Sequence, residues 1–204
     1  MWVIIGLLIV LVFFSFLAPV FMKIGINIPA RTIYKLYNTF CHQLAFRSYY
    51  LFGQQSIYPR KLSGIATTIY YEDIITGDLD LQQAREFIGN EELGYKLALC
   101  QRDIAIYTSL LLIALWFQII KRNIKPIPWS IWLVLGLIPI GLDGISQFGG
   151  LGINLFSFLP VRESSPVLRT ITGALFGVCT GLFMFPMIEE TMLITNKPKR
   201  SIID

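Results

Sequence analysis

Charge is what this sequence has least of. Of its 204 residues, 15% are Asp, Glu, Lys or Arg, against roughly 25% in an average soluble domain. Histidine occurs once, as His42, and cysteine three times. One histidine excludes a haem held by two. No Gly-rich phosphate loop and no Gly-x-Ser-x-Gly nucleophile elbow is present. The net charge of +4 is a small surplus and does not point to nucleic acid, which needs clustered Lys and Arg. Three cysteines allow one disulfide and a spare thiol, or up to three thiolate ligands; their number does not choose.

What the chain has instead is apolar residues, 54% of the total, with a mean hydropathy of +0.62. That composition names lipid as the solvent. A bilayer core of about 30 Å needs about 20 apolar residues in a helix. Residues 2–22 carry no charge and form the first span. The run is longer than a signal-peptide core and no Lys or Arg precedes it, so it reads as a span rather than a cleaved leader. The second span is expected at 104–120, between Arg102-Asp103 and Lys121-Arg122. The third covers 128–147, with Pro139 expected to kink it or free a carbonyl. The fourth covers 166–193, with Ser165 as N-cap, Pro166 in the first turn, and Asn196 and Pro198 at its end. These spans predict an all-α polytopic membrane bundle of about four transmembrane helices, as one membrane domain over 1–204.

Short loops fix the expected orientation in the cell membrane. Lys121, Arg122 and Lys125 lie in one connection, and Lys197, Lys199 and Arg200 in the tail. Both read as cytoplasmic by the positive-inside rule, and the parity of spans agrees. Both termini are then cytoplasmic and the long 23–103 segment extracytoplasmic. That segment holds nine basic and eight acidic residues, and loops this long escape the charge rule. Short helices and loops are expected in it. One is an interfacial helix over 30–43 with Ile33, Leu36, Tyr37 and Phe40 on its apolar face. A second runs from Asp80 to Ile88 and stops at Gly89. A third is capped by Asn90 and runs through Glu91 and Glu92 into the second span. Residues 65–75 fit strand or helix. Trp129 and Trp132 read as interface anchors, with Tyr49, Tyr50, Tyr70 and Tyr71 as anchors on the other side.

Four groups carry the polar chemistry: Cys41-His42-Gln43 with Arg47 and Ser48; Cys100-Gln101-Arg102-Asp103; Asp143-Gly144 with Gln147; and Arg169 with Thr172 and Gly173. Span lengths and loop charges place all four at the extracytoplasmic ends of the spans. Asp143, about 22 Å along its span, needs a partner or a wet cavity, and Arg169 and Arg102 are the expected partners. Cys41, His42, Cys100 and Asp103 have the chemistry of a transition-metal site such as zinc, although their spacing is no established motif. A Cys41–Cys100 disulfide and free thiols are the other two readings. His42, Asp103 and Asp143 are the candidate catalytic residues, supported by Arg47, Arg102, Gln147 and Arg169. Cys179, mid-span, reads as a small buried hydrophobe. Gly173, Gly177 and Gly181 make a close-packing face for this bundle or for another membrane subunit.

The combination Cys41-His42, Arg47-Ser48, Cys100-x-Arg102-Asp103, Asp143-Gly144 with Gln147, and Leu168-Arg169 with Thr172-Gly173 resembles a family of small predicted bacterial and archaeal integral membrane proteins of unknown function. The resemblance spans roughly Tyr37 to Glu190. In many members the second cysteine region reads Cys-x-x-Cys, and here Asp103 stands at the second cysteine's place. A carboxylate can replace a thiolate as a ligand but cannot form a disulfide. The resemblance implies no reaction.

Three functions of different classes fit these residues. The first is a membrane protein with an extracytoplasmic Cys/His/Asp site that binds a metal and acts on a lipid or quinone-like substrate at the interface. The second is a non-catalytic accessory subunit of a membrane electron-transfer complex. The third is an oligomeric channel or transporter with Asp143 carboxylates around a symmetry axis.

Overall fold

The computed structural model describes residues 1–75, 79–120, 124–147 and 162–195. The basic clusters at 121–122 and 197–200, the start of the 148–165 loop, and the expected helix stop at Asn196 and Pro198 lie outside the described residues. Three helices are long and apolar enough to cross a membrane: α1 (Trp2–Lys23), α5 (Gln101–Ile119) and α7 (Pro166–Thr195). A fourth apolar helix, α6, covers Trp129–Ile145 and is shorter than the expected 128–147 span. Between α1 and α5 the chain builds α2 (Asn27–Tyr37), β1 (Ser48–Leu51), α3 (Tyr71–Ile74), α4 (Leu81–Glu86), β2 (Gly89–Asn90) and β3 (Gly94–Cys100).

The protein is therefore mostly helical but not all-α, because a three-stranded antiparallel sheet of order β1-β3-β2 sits in this head segment. Its centre, β3, overturns the expected helix from Asn90 into the second span. The strand is buried along almost its whole length. A strand buried on both faces shows no apolar-polar alternation and reads like a helix in sequence. Asn90 does cap, but it caps a turn: its Oδ1 accepts the N–H groups of Glu92 at 3.0 Å and Leu93 at 2.8 Å. Gly94, at φ +77°, then closes the hairpin, where a Cβ would lie 2.3 Å from the Leu51 carbonyl oxygen. Ser48 pairs with Cys100 and Tyr50 with Lys96, so β1 fixes where β3 ends and α5 begins.

The other head elements follow from local chemistry. Asp80 caps α4, accepting from Gln82 N–H at 2.9 Å. Residues 65–70 are irregular and only Tyr71–Ile74 is helical. Helix α2 ends at Tyr37, and its buried face is Ala30, Ile33, Tyr34 and Tyr37. Leu36 and Phe40, expected on that face, are exposed, and Phe40 is beyond the helix. Tyr50 and Tyr71 are not interface anchors. They are buried in the head, where Tyr50 meets Tyr58 edge-on at 4.8 Å and Tyr71 meets Phe46 at 5.4 Å.

The head is sunk against the spans. After a turn at Gly25 (φ +82°), α2 folds back along α1, and Tyr37 Oη donates to the Leu11 carbonyl at 2.7 Å. The Leu99 N–H donates to Ser15 Oγ at 3.1 Å. Ser15 is eight residues before the end of α1 at Lys23, so the β3–α5 junction lies about 12 Å below that end.

Helices α5 and α7 pack through the glycine stripe. A Cβ at Gly173 would lie 2.7 Å from the Arg102 carbonyl oxygen, one at Gly177 2.0 Å from Ser109 Oγ, and one at Gly181 2.8 Å from Ile113. The stripe thus meets α5 of the same chain, so it is not a free face for another subunit. Helix α6 runs antiparallel to α7 and returns the chain to the head end. Trp132 Nε1 donates to Thr180 Oγ1 at 3.1 Å and its ring stacks on Phe183, so Trp132 packs half-buried against α7, while Trp129 is exposed. Cys179 is buried against Gly136 of α6. Pro139 has no N–H, and the winding widens to a π-helix over Trp132–Leu137 just before it.

Gly177→Ala should lower the unfolding temperature in detergent, at a cost of about 1–3 kcal/mol for overpacking. Gly6→Ala, where a Cβ meets nothing within 4 Å, should leave it unchanged.

Candidate functional site

The strand-to-helix junction builds the centre of the site. Cys100 ends β3 and is the N-cap of α5, so it does not share a helix face with Asp103 by simple spacing. Asp103 sits in the first helical turn, where the helix dipole favours an acid. Cys41 reaches the same point from the chain after α2. Its Sγ accepts the N–H of Gln43 at 3.4 Å and that of Cys100 at 3.3 Å. Cys100 Sγ donates to Asp103 Oδ2 at 3.2 Å. The two sulfurs and the Asp103 oxygen lie within 4.8 Å of one another, and both cysteines are free thiols. The neighbouring Cys100 thiol pushes the Cys41 thiol well above its usual range, and burial and Asp103 add to the effect. His42 is exposed and is not one of this group, although it lines the same cavity.

That cavity holds about 660 Å³. One wall is the Cys41–Cys100–Asp103 group. Arg47, Arg85, Arg102 and Arg169 also line it, as do Gly141, Gly144 and Ile145 of α6.

A buried ionic network lies behind the arginines. Glu163 accepts from Arg47 through Nε at 2.8 Å and Nη2 at 3.0 Å. It pairs with Arg169 and has Arg60 Nη1 at 3.9 Å. Arg169 also donates to Gln147 Oε1 at 3.1 Å and Gln101 Oε1 at 3.4 Å. Gln147 Nε2 in turn donates to Asp143, at 2.6 Å to its carbonyl and 3.3 Å to its carboxylate. Asp143 pairs directly with Arg102. So Arg102 is its direct partner, while Arg169 reaches it only through Gln147. Asp143 is buried inside one chain, which removes the exposed carboxylate that a symmetric channel would use. Thr172 Oγ1 donates to the Leu168 carbonyl at 2.8 Å and serves its own helix. Ser165 caps α7 as expected, accepting from Leu168 N–H at 3.1 Å.

The four sequence groups therefore meet at one end of the bundle, and only His42 and Thr172 stay out of the contacts. Sequence reasoning missed Glu163, Arg60, Arg85 and Lys96. Glu163, two residues before the Ser165 cap, gave a signal in being an acid at the mouth of a span whose first turn holds an arginine. Lys96 gave none: its strand was read as a helix.

Residues 82–183 match the model of a family described as a predicted membrane protein, DUF2085. The chain belongs to that family. The matched stretch holds Cys100, Arg102, Asp103, Asp143, Gln147, Glu163 and Arg169, while Cys41, His42 and Arg47 precede it. An uncharacterized protein of Methanocaldococcus jannaschii is 26% identical over 181 residues, covering 86% of this chain and 83% of its own length. No solved structure matches the chain.

Glu163→Gln should cost about 3–5 kcal/mol, because it leaves Arg169 buried without its anion. Thermal unfolding in detergent measures this. Lys96 gives a second test. It is buried, with its ammonium on the carbonyls of Gln43 and Arg85, both at 2.7 Å. Burial pulls it from the ordinary 10.5 down to about 7. Between those values the unfolded chain holds the extra proton, so stability should rise with pH through that window and lie flat below it. Lys96→Met should abolish the slope. An unchanged slope in the variant would assign the pH dependence to other groups.

Proposed function

We propose that this membrane protein holds a transition metal, zinc by its donor set, on Cys41, Cys100 and Asp103, and acts on a substrate in the adjoining cavity. One observation carries the reading. Three donors of the right softness, from two remote segments, converge within 4.8 Å of one another beside open space. Thiolate and carboxylate suit zinc, and three protein ligands with a vacant fourth position is the pattern of reactive rather than structural zinc sites. A bound cation would also relieve the crowding of three acidic groups that keeps the proton on Cys41. His42, exposed at the cavity, is assigned as a proton carrier rather than a ligand, and Asp143 as the residue that orients Arg102.

The reading includes a topology. With α6 as the fourth span, the chain over 1–204 is one membrane domain. Both termini are then cytoplasmic, and the head and site face the extracytoplasmic side. The return course of α6 between α5 and α7 supports this, since α5 leads away from the head and α7 starts beside it. At 17 residues, α6 covers about 25 Å, slightly less than the bilayer core.

Elemental analysis of protein purified without chelator should find about one zinc, iron or copper per chain. Cys100→Ser should lose it and His42→Ala should keep it. Metal-free wild-type protein would sink the proposal, and metal lost from the His42 variant alone would move the ligand set.

A further inference from the structure

We propose that the cavity binds a phosphate ester carried on an apolar chain, a lipid phosphate, with the phosphate against the arginine wall and the chain leaving past α6. This rests on the cavity of the proposed function and names the class of substrate it takes.

The charge of the wall comes first. Arg47, Arg85, Arg102 and Arg169 line the cavity. Glu163 and Asp143, behind them, and Asp103, within the wall, are the carboxylates in contact with the site. Four cations against three anions leave one positive charge in excess. Among the described residues Arg85 has no carboxylate partner, and its bonds go to the Asn38 side chain and carbonyl. Filling the metal site does not alter the balance: a divalent ion held by two thiolates and Asp103 carries the same single negative charge that Asp103 carries alone.

Unused donors are the second observation. Arg169 is almost wholly buried, yet its Nε has no hydrogen-bond partner, and neither has the buried Nε of Arg102. Buried guanidinium N–H groups are costly to leave unpaired. Both residues line the cavity, so an anion seated there supplies acceptors once the guanidinium groups turn toward it. Four arginines on the lining of one space suit a tetrahedral oxyanion better than a neutral carbonyl ligand.

Depth and shape supply the apolar chain. The β3–α5 junction lies beside Ser15 of α1, about 12 Å below the head end of that span, a level within the acyl-chain layer of a core about 30 Å thick. The α6 wall is almost bare there: a Cβ at Gly141 would meet nothing within 4 Å, and one at Gly144 only Arg102 Nη1 at 3.7 Å. Ile145, Phe40 and Leu81 on the cavity lining are exposed, which offers an apolar lip to a chain and nothing to a hydrated ion.

The test titrates the full-length protein in detergent with dioctanoyl phosphatidic acid, dioctanoylglycerol and inorganic phosphate, and measures metal content on the same sample. Phosphatidic acid should bind saturably, at least about tenfold more tightly than either other probe, the worth of one charge-assisted hydrogen bond. Arg85→Gln should weaken it by a similar factor. Gly141→Leu, which fills open space without touching the fold, should abolish it while leaving the unfolding temperature and the metal unchanged. Equal binding of dioctanoylglycerol, or unimpaired binding by the Gly141 variant, would overturn the proposal. Equal binding of inorganic phosphate would support the anion site and overturn its lipid source. Metal without lipid binding fails this inference alone, and lipid binding without metal fails the metal reading alone.

Discussion

Glu163 is the carboxylate on which the rest of this structure depends. It is shared by Arg47 from the head, Arg60 from the loop after β1, and Arg169 from the first turn of α7. None of the groups that meet there can be removed singly without leaving a charge in a low-dielectric place. Desolvation makes such a cluster a poor source of net stability. It is a strong source of geometry, because only one docking of head on spans satisfies every member. The same cluster sets the course of the site: Arg169 holds Gln147, Gln147 holds Asp143, and Asp143 holds Arg102 at the cavity wall.

Two backbone irregularities make room for this arrangement inside a bundle. Pro139 and the π-wound segment before it re-phase α6, so that Asp143 meets Arg102 of α5 and Gln147, just beyond the helix, meets Arg169 of α7, while Gly141 and Gly144 line the cavity. On the other side, the Gly177 position lets α7 meet α5 at backbone distance, which brings Arg169 close enough to reach Gln101. Close contact below and missing side chains above leave a space at the junction of head and spans. A head that merely lay on the membrane surface would not produce it. The bonds from Leu99 to Ser15 and from Tyr37 to Leu11 draw it down between the helices.

Three of the four expected spans were legible because lipid selects for one crude property, a long uncharged run, and such runs tolerate little ambiguity; α6 is shorter than its expected span. Ser165 as a cap and Asp143 as a residue needing Arg102 or Arg169 were legible for a related reason: each is a polar group whose cost in an apolar setting calls for a partner. The head was not. β3 is buried on both faces against α1, β1 and β2, and its alternation is erased, so Gly94 to Cys100 looked like the start of a helix. Phe40 and Leu36 matched a helical apolar face by spacing, but α2 stops at Tyr37, where Tyr34 and Tyr37 have hydrogen-bond partners on β3 and α1 that no spacing encodes. His42 stood beside Cys41 in sequence and was grouped with it, yet the bend that carries Cys41 inward turns His42 out. Glu163, the centre of the network, offered only a weak signal, an acid just ahead of a span whose first turn holds Arg169.

The metal site and the arginine wall follow one electrostatic logic. The Cys100 thiol, burial and Asp103 together hold the proton on Cys41. A cation removes that obstacle and leaves a centre of low net charge. The arginines face the opposite problem, since Glu163 and Asp143 balance them only in part and two of their buried nitrogens stay unpaired. A ligand that brings anionic oxygen to the space between the two groups can meet an open metal position on one side and unpaired donors on the other. Neither group alone selects such a ligand: the thiolates would accept a bare ion, and the guanidiniums any anion. Their placement across one cavity, with the exposed apolar side chains of Phe40, Leu81 and Ile145 on its lining, favours an anion that arrives with an apolar chain attached.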